Sequence, residues 1–411
     1  MNAGNAHLIF NAALQAASIP AAFERHFPAL PPCDHIYAIA LGKAALPMLE
    51  SLCDHLPRPL AAGVCCAPVL PLDRIPQVEY FTGGHPLPNE DSFASARAAL
   101  ALLERTGPRD LVFFLISGGG SAMFELPLAP GISLEDTRSL YQTLVGSGAT
   151  IAEINTVRKH FSAVKGGRLA ALAPQRFSFL VSDVAPRHLD ALASGPTLPD
   201  SSTVAQCRAI LHRYDLRRHC TPRVQAFFDD PGLPETPTLE AAPIATLLSS
   251  DDLLDAARAQ AESLGYDVVI DNDCDDWDYA DAADYLLARY RALRREYPRL
   301  CLLSGGEVTV RLGRNPGAGG RNQQFALACA LRLQEPLLVL SAGSDGIDGN
   351  SPAAGALADH TTLARARSLG LDPAEALNHF DAYPFFTALG DTLVTGPTHN
   401  NLRDLRLLIT P

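Results

Sequence analysis

The chain has 411 residues, of which 47% are hydrophobic, and its formal net charge is -12. A chain of this length can form two or three domains, each with its own core. The acidic balance argues against nucleic acid or an anionic membrane surface as a partner. The first 24 residues contain no Lys or Arg, and no apolar stretch approaches the ~20 residues that span a bilayer, so we expect neither a secretory signal nor a membrane span.

The first half of the chain alternates short apolar runs with helical stretches. An N-terminal helix is expected to bury Leu8, Ala12, Leu14 and Ile19. After it, strands are predicted at 36–41, 63–66, 111–116 and 176–182, and helices at 89–105, 135–145 and 157–173. Continuous apolar strands that alternate with helices predict a parallel sheet with helices on both faces. Ligands bind beyond the carboxyl ends of such strands, where Lys43, Ser117 and Asp183 lie.

A run rich in proline and acid, residues 229–237, interrupts this pattern. We take it as a domain boundary, with a Rossmann-like domain over 1–235 and a smaller mixed-sheet domain over 236–411. For the second domain, strands are predicted at 245–248, 267–270, 300–303, 308–312 and 336–340, and helices at 251–264 and 279–296. The alternation in 308–312 predicts an antiparallel edge strand. We expect a cleft between the two domains.

Two glycine-rich turns follow buried strands in different halves of the chain. The first comprises Ser117, Gly118, Gly119, Gly120 and Ser121, and the second contains Gly305 and Gly306. Glycines let the backbone turn its N–H groups toward an anion, and a following helix adds positive partial charge. Each turn alone is also a common structural connection, but together they predict a phosphate-handling site. The G-x-x-x-x-G-K-[ST] and G-x-G-x-x-G fingerprints are absent, which excludes a P-loop protein and weakens a dinucleotide interpretation.

The nine cysteines form no C-x-x-C pair, and most lie in apolar surroundings. Buried free thiols are typical of a reducing compartment, so we expect a cytoplasmic protein. The 12 histidines are scattered, and no pair has the spacing of a zinc protease site, so a structural zinc site is not expected.

Short blocks of sequence carry a family resemblance along nearly the whole chain. They are residues 41–45, 84–88, 117–122, 154–160, 165–170, 181–184, 193–197, 304–307, 319–323, 341–349 and 396–398. In this order they resemble the type-2 glycerate kinases, ATP:glycerate 2-phosphotransferases whose C-terminal half is called the MOFRL domain. The resemblance implies an ATP-dependent kinase that converts glycerate to 2-phosphoglycerate. Two segments depart from the family pattern, 185–188 where a Gly-Asp pair is usual, and 399–401 where Gly-Thr-Asn is usual.

The resemblance also implies roles for single residues. The proposed catalytic Lys and Arg of the family correspond to Lys43 and Arg321. Phosphoryl transfer needs cations around the transferred group, metal ions that bridge the phosphates, and an oriented acceptor hydroxyl. Asp183, at the end of a predicted strand, is our candidate for the acceptor-side base or a metal ligand. Glu307 and Asp345 are further candidate ligands for Mg²⁺, and a turn-forming role is the alternative for Asp345.

Further residues are expected to bind the two substrates, ATP and glycerate. The phosphate contacts are expected from Ser117, Gly118, Gly119, Gly120, Ser121, Gly305, Gly306 and Asn322. The contacts to glycerate are expected from Asn155, Arg158 and His85. A packed, hydrogen-bonded histidine is the alternative for His85, and a solvated helix face is the alternative for Arg158.

Two other functions stay open at this point. One is an NAD-dependent hydroxypyruvate reductase, a label that relatives of this family have carried, and the other is a non-catalytic sensor of a phosphorylated metabolite. The expected partners are small molecules, with neither nucleic acid nor membrane, and the sequence leaves formation of a homodimer open. An ADP-release assay with glycerate beside an NADH absorbance assay separates the three functions.

Overall fold

The structure is a computed structural model that describes residues 3–182, 186–313, 316–398 and 401–410, with the backbone alone at 186–188. The α-helices are α1 (Ala3–Ala16), α2 (Ile19–His26), α3 (Ala45–His55), α4 (Glu90–Leu103), α5 (Gly120–Met123), α6 (Leu134–Gly146), α7 (Ile151–Phe161), α8 (Arg168–Ala171), α9 (Val204–Arg213), α10 (Pro222–Asp229), α11 (Ser250–Ser263), α12 (Tyr279–Leu293), α13 (Arg321–Ala330), α14 (Thr362–Ser368), α15 (Pro373–Asn378) and α16 (Ala382–Leu389). Two 3₁₀ helices cover Pro186–Ser194 and Leu216–His219.

The strands form two six-stranded sheets. Their bounds are β1 (Ile36–Leu41), β2 (Ala62–Ala67), β3 (Val78–Thr82), β4 (Leu111–Ser117), β5 (Gln175–Val181), β6 (Ile244–Leu248), β7 (Asp267–Ile270), β8 (Leu300–Gly306), β9 (Leu338–Gly343), β10 (Gly355–Asp359), β11 (Thr392–Leu393) and β12 (Asp404–Ile409). The first sheet has the order β3-β2-β1-β4-β5-β6 and the second β11-β10-β9-β12-β8-β7.

The first sheet has the strand order of a Rossmann fold. β1 pairs in parallel with both β2 and β4, and β2 with β3 and β4 with β5 are parallel as well. All residues of β1 and β4 are buried, as expected for strands covered on both faces. The strand order reverses between β1 and β4, and ligands bind at such a switch point in open α/β sheets. The turn after β1 carries Lys43 and the turn after β4 carries residues 118–121.

The second sheet is mixed. β7 and β8 are parallel, whereas β12 lies between β8 and β9 and is antiparallel to both. This register places Asp404, the first residue of β12, opposite Gly306 at the end of β8 and Gly343 at the end of β9. A carboxylate therefore lies between the carboxyl ends of β8 and β9, the two strands that flank β12. The predicted α/β class, with one Rossmann-like parallel sheet and one mixed sheet, is confirmed.

The chain forms two compact units, residues 22–247 and residues 1–21 together with 248–411. α1 buries Ala6, Ile9, Phe10 and Ala13 and packs against α11. The expectation that Leu8 faces inward is wrong, since Leu8 is 53% exposed on the opposite side of the helix. The domain limits 1–235 and 236–411 stay a prediction, as does the cleft between the domains.

Two further predicted elements are wrong. The helix expected over 157–173 is two helices, because Ser162 adopts an extended conformation that ends α7, and α8 begins only after Gly166 and Gly167, whose φ values are +57° and +79°. Residues 308–312 form no strand, and of these only Thr309 makes a bridge, to Asp278.

No single helix in the described ranges has the length and apolar composition of a membrane span. α1 and α2 meet at a bend of 51°, and they have this length and composition only when the two helices are taken together.

Candidate functional site

The turns that follow β1 and β4 hold each other in place. The Lys43 N–H donates to the Gly118 carbonyl over 2.9 Å, and the Ser117 hydroxyl donates to the Leu41 carbonyl over 3.2 Å. Gly42 has a φ of +106°, and a Cβ there would lie 2.4 Å from the Ser117 carbonyl oxygen. Only glycine therefore fits at this position, and the close approach sets Lys43 directly beside the glycine-rich turn.

Lys43 and His85 flank the middle of that turn. Gly119 has a φ of +82°, and a Cβ there would lie 3.2 Å from Lys43 Cγ and 3.5 Å from His85 Cδ2. The pKa of His85 is lowered because the surrounding protein partly shields the ring from water and because the Lys43 ammonium repels an imidazolium. Within the described ranges no carboxylate forms an ion pair with Lys43. The structure thus places Lys43, Gly119 and His85 side by side, so that a cation and a neutral imidazole flank the glycine-rich turn.

The helix after this turn contributes little charge of its own. α5 has only four residues, Gly120–Met123, and begins after Gly119 in a left-handed conformation. A helix macrodipole grows with the number of aligned peptide units, so one turn supplies mainly its few free N–H groups. The expected electrostatic contribution at residues 117–121 must therefore come mostly from side chains.

A buried chain of hydroxyl and amide groups continues from Ser121. The Ser121 and Ser194 hydroxyl oxygens lie 2.8 Å apart, and Ser194 Oγ donates to Asn155 Oδ1 over 2.9 Å. Ala193 and Ser194 have φ values of +49° and +60°. Such backbone conformations cost non-glycine residues on the order of 1–3 kcal/mol and cluster at functional sites. Ser194 lies in the family block 193–197, but the pattern of side chains gives no sign of its left-handed backbone.

Arg158 lies on the same helix as Asn155 and stacks on an aromatic ring. Arg158 is 8% exposed, and its Cζ lies 4.4 Å from the centroid of the Tyr141 ring. Arg158 Nε has no hydrogen-bond partner, and none of the described carboxylates forms an ion pair with the guanidinium. The Tyr141 hydroxyl oxygen lies 2.8 Å from the Ser121 carbonyl oxygen. A buried guanidinium without a counter-ion is costly unless an anion joins it, so this position favours an anionic ligand.

A buried ion pair lies next to Tyr141. Lys165 Nζ lies 3.0 Å from Glu125 Oε2, and both side chains are 1% exposed or less. Lys165 also donates to the Phe124 carbonyl over 2.8 Å, and the Glu125 carboxylate accepts from the Tyr141 hydroxyl. Burial lowers the pKa of Lys165, an effect that the Glu125 charge opposes, and burial together with Glu125 raises the pKa of Tyr141. The hydroxyl of Tyr141 therefore stays protonated as a donor.

Neighbours of Arg158 on α7 have internal partners instead. Lys159 Nζ contacts Asp190 at 3.2 Å and Asp200 at 3.1 Å, and the buried His160 lies between the Thr156 carbonyl and Glu235. These side chains hold the helix against the rest of the unit, whereas the Arg158 guanidinium pairs with no described carboxylate.

The unit of residues 1–21 and 248–411 contains a pocket of about 740 Å³. It opens beyond the carboxyl ends of β8 and β9, at the beginning of α13. One part of its lining is apolar, from Val308, Val310, Leu312, Ile347 and Phe380, and the other part is polar, from Asp276, Glu307, Arg321, Asp345 and Asp348. The pocket therefore combines an apolar wall with charged groups, as small-molecule sites commonly do.

Arg321 is held by two carboxylates at this pocket. Its Nε and Nη2 donate to Asp404 over 2.6 and 3.0 Å, and Nη2 also donates to Glu307 over 2.7 Å. Burial alone would lower the pKa of Arg321, but the Asp404 and Glu307 carboxylates outweigh it and raise that pKa. The bidentate contact fixes the guanidinium plane. Sequence reasoning missed Asp404, since only the long-range insertion of β12 brings it here.

Asp348 fixes the helix that begins with Arg321. Its carboxylate accepts from the Asn322 and Gln323 N–H groups over 3.0 and 2.9 Å. A Cβ on Gly320 would lie 2.3 Å from Asp348 Oδ1, so glycine is required for this approach. Burial raises the pKa of Asp348 to about 6, against the opposing effect of the two backbone hydrogen bonds. Asp348 therefore sets the position from which the Arg321 side chain extends.

Three predicted phosphate-binding residues of this unit have internal partners. The Asn322 side chain is buried and its Oδ1 accepts from Ser341 Oγ over 2.6 Å. The Gly305 N–H donates to Asn272 Oδ1 over 2.8 Å, and Gly306 lies in β8 opposite Asp404. The roles of Asn322, Gly305 and Gly306 stay predictions.

The predicted metal ligands are only partly described. Asp183 lies outside the described residues, as do residues 399 and 400 of the second departure. Glu307 and Asp345 both line the pocket, and Asp345 Oδ1 also accepts from the Ile347 N–H over 3.1 Å. The described residues contain no group of three or more His, Cys, Asp or Glu that could hold a metal ion. Since Mg²⁺ often takes one or two protein carboxylates and completes its shell with phosphate and water, Glu307 and Asp345 fit an ion that arrives with a phosphate ligand.

Two protein families match separate parts of this chain. Residues 5–229 match a family described as a domain of unknown function (DUF4147), and residues 300–404 match the MOFRL family. The D-glycerate 2-kinase of Thermotoga maritima is 36% identical over 385 residues, which cover 90% of this chain and 90% of that protein.

Two further comparisons extend over nearly the whole chain. A protein of Agrobacterium vitis that is named for hydroxypyruvate reductase is 36% identical over 416 residues, 98% of this chain and 93% of its own. The crystal structure of a glycerate kinase from Thermotoga maritima has a TM-score of 0.91 and 33% identity, and the match covers 99% of both chains.

Proposed function

The chain belongs to the glycerate 2-kinase family that joins a DUF4147 region to a MOFRL region, and we propose that it transfers the γ-phosphoryl group of ATP to the 2-hydroxyl of glycerate. The products are 2-phosphoglycerate and ADP. One observation carries the proposal furthest: a buried Arg158 guanidinium stacks on Tyr141, pairs with no described carboxylate, and lies beside hydroxyl and amide groups.

Glycerate binding follows from that geometry. The substrate carboxylate pairs with Arg158, and its hydroxyl groups reach the chain of Ser121, Ser194 and Asn155. A charge-assisted hydrogen bond contributes about 1.5–3 kcal/mol, and it fixes which hydroxyl faces the phosphoryl donor. Neutral His85 is available to donate or accept one further hydrogen bond.

Transfer of the phosphoryl group needs positive charge that is in place before the reaction. Lys43, beside the glycine-rich turn and without a described carboxylate partner, acts on the transferred group, where negative charge spreads over the phosphoryl oxygens. Arg321 acts on the nucleotide phosphates from a position that Asp404 and Asp348 fix. Asp183 accepts the proton of the 2-hydroxyl, or binds the metal ion, on the strength of its motif alone.

Mg²⁺ is the metal that this proposal includes. Glu307 and Asp345 would hold it, and when bound it neutralises charge on the phosphates. The residues of the chain then have three tasks: to orient the acceptor, to keep cations around the transferred group, and to remove one proton.

All nine cysteines are free and seven are buried, which supports the expectation of a reducing compartment.

The reductase alternative deserves a direct test because the first sheet has a dinucleotide-binding strand order and a relative carries that name. We expect ADP release from ATP and Mg²⁺ when glycerate is added, and no oxidation of NADH when hydroxypyruvate is added. NADH oxidation without ADP release would replace the kinase by a reductase. Neither reaction, together with binding of a phosphorylated acid, would favour a sensor.

A further inference from the structure

The pocket of residues 1–21 and 248–411 is much larger than contacts to a phosphoryl group require. We infer that it binds the purine nucleoside part of Mg·ATP, with the base against its apolar wall. This inference rests on the proposed kinase function and adds a binding site that the phosphate contacts alone do not define. The apolar wall consists of Val308, Val310, Leu312, Ile347 and Phe380.

Size is the first argument. A volume of about 740 Å³ is within the range of small-molecule sites and suits a whole nucleotide. Glycerate is a three-carbon acid and would leave most of this space empty. The polar and largely buried surroundings of Arg158 suit the smaller substrate, so the two substrates are assigned to chemically different sites.

Exposed apolar side chains are the second argument. Leu312 is 64% exposed and Ile347 is 47% exposed, although both line the same concave surface. Large apolar groups gathered in one concavity indicate a ligand that covers them. Phe380 adds an aromatic ring and has a φ of +54°, a conformation that bulky residues rarely adopt and that the surrounding structure must hold in place. Aromatic rings offer a face on which a base can stack.

Charge at the other end of the pocket is the third argument. Asp276, Glu307 and Asp345 line it, whereas its described cation, Arg321, is already paired with Glu307 and Asp404. A free anion such as glycerate is repelled by this excess of carboxylates. A nucleotide is suited to it, because ribose hydroxyls donate to carboxylates and the phosphates bring a divalent cation.

The test measures binding to the full-length protein by calorimetry. Leu312→Ala and Phe380→Ala should raise the Kd of Mg·ADP about five- to tenfold, because each removes apolar contact with the base. Leu369→Ala is the matched control, since Leu369 is 57% exposed in the same unit and does not line the pocket. It should leave the Kd unchanged. Mg·tripolyphosphate, which has no nucleoside, should bind the Leu312→Ala variant as tightly as it binds the wild type.

The outcomes separate this inference from the proposed function. If both pocket variants bind Mg·ADP like the wild type, or weaken Mg·tripolyphosphate equally, the nucleoside site is wrong even when glycerate is phosphorylated. If the pocket variants weaken Mg·ADP alone but the wild type releases no ADP with glycerate, the site stands and the proposed function fails. Failure of the wild type to bind Mg·ADP overturns both. In an active enzyme, the KM for ATP should rise in Leu312→Ala and the KM for glycerate should not.

Discussion

Arg158 and Arg321 are both assigned to anions, yet their surroundings are opposite. Arg158 is 8% exposed, stacks on Tyr141 and has no ion-pair partner among the described carboxylates, whereas Arg321 is more accessible and is held by Asp404 and Glu307. In the first arrangement no described carboxylate compensates the charge of the guanidinium. The second uses its charge within the protein and presents a fixed, largely compensated cation. Loss of Arg158 therefore leaves no described carboxylate without a partner, whereas loss of Arg321 leaves Glu307 and Asp404 without this guanidinium.

We expect the largest effect from substitution of Lys43, whose ammonium, like the Arg158 guanidinium, has no described carboxylate partner. Lys43→Ala should lower kcat by at least ~100-fold with little change in either KM, since the ammonium acts on charge that develops during transfer. Steady-state kinetics measure this. Lys43→Arg keeps the charge and should lose less. An unchanged kcat in Lys43→Ala would remove Lys43 from the catalytic group.

Loss of Arg321 should affect folding as well as activity. Arg321→Ala leaves Asp404, whose side chain is 1% exposed, without its bidentate partner. We expect the free energy of unfolding to fall by about 2–4 kcal/mol, as for other buried pairs broken from one side. Urea denaturation measures this change. Arg158→Ala is the comparison variant, and it should lose less stability than Arg321→Ala, because it loses the stacking on Tyr141 but leaves no described carboxylate without a partner. Equal stability losses in the two variants would contradict the comparison.

Much of this comparison could be anticipated from the sequence, and some of it could not. The apolar runs 36–41 and 111–116 gave two buried parallel strands, and the residues that follow them meet at the switch point. Asp404 could not be assigned, because the pairing of β12 with both β8 and β9 joins segments distant in sequence. Local periodicity carries no information about such pairing.

Ser194 and Tyr141 were missed for different physical reasons. Ser194 takes a left-handed backbone conformation without being glycine, so its residue type gives no signal. Tyr141 lies on a helix whose periodicity identifies it only as a core residue, and its hydroxyl finds Ser121 and Glu125 through tertiary packing. The family block 193–197 contains Ser194, whereas no family block contains Tyr141.

Loss of Arg158 should weaken the binding of glycerate. Arg158→Ala should lower kcat/KM for glycerate about 10- to 150-fold, the equivalent of one charge-assisted contact, with most of the loss in the KM for glycerate. Arg158→Lys should recover part of it, because an ammonium keeps the charge but not the planar pair of donors. An Arg158→Ala enzyme with an unchanged KM for glycerate and a raised KM for ATP would move Arg158 to the nucleotide.

The smallest effect concerns pH and the helix that carries Arg321. The pKa of Asp348 is about 6, above its ordinary 3.8, so the native state binds this proton more tightly than the unfolded state. Its stabilisation is therefore full below about pH 4 and is lost as the pH rises through 6. Relative to Asp348→Asn, the wild type should lose on the order of 2 kcal/mol of unfolding free energy between pH 4 and 6. Parallel stability curves for the two proteins would show that Asp348 does not titrate in this range.

We propose that Arg158 holds the carboxylate of the acceptor while the acceptor hydroxyl receives the phosphoryl group. The most direct measurement compares glycerate with glycerol, which has the hydroxyls and lacks the carboxylate, in the wild type and in Arg158→Ala. We predict that the wild type favours glycerate in kcat/KM by at least ~10-fold, and that Arg158→Ala loses most of this preference. Similar kcat/KM values for the two acceptors in the wild type, or a preference for glycerate that persists in Arg158→Ala, would show that Arg158 does not bind the acceptor carboxylate.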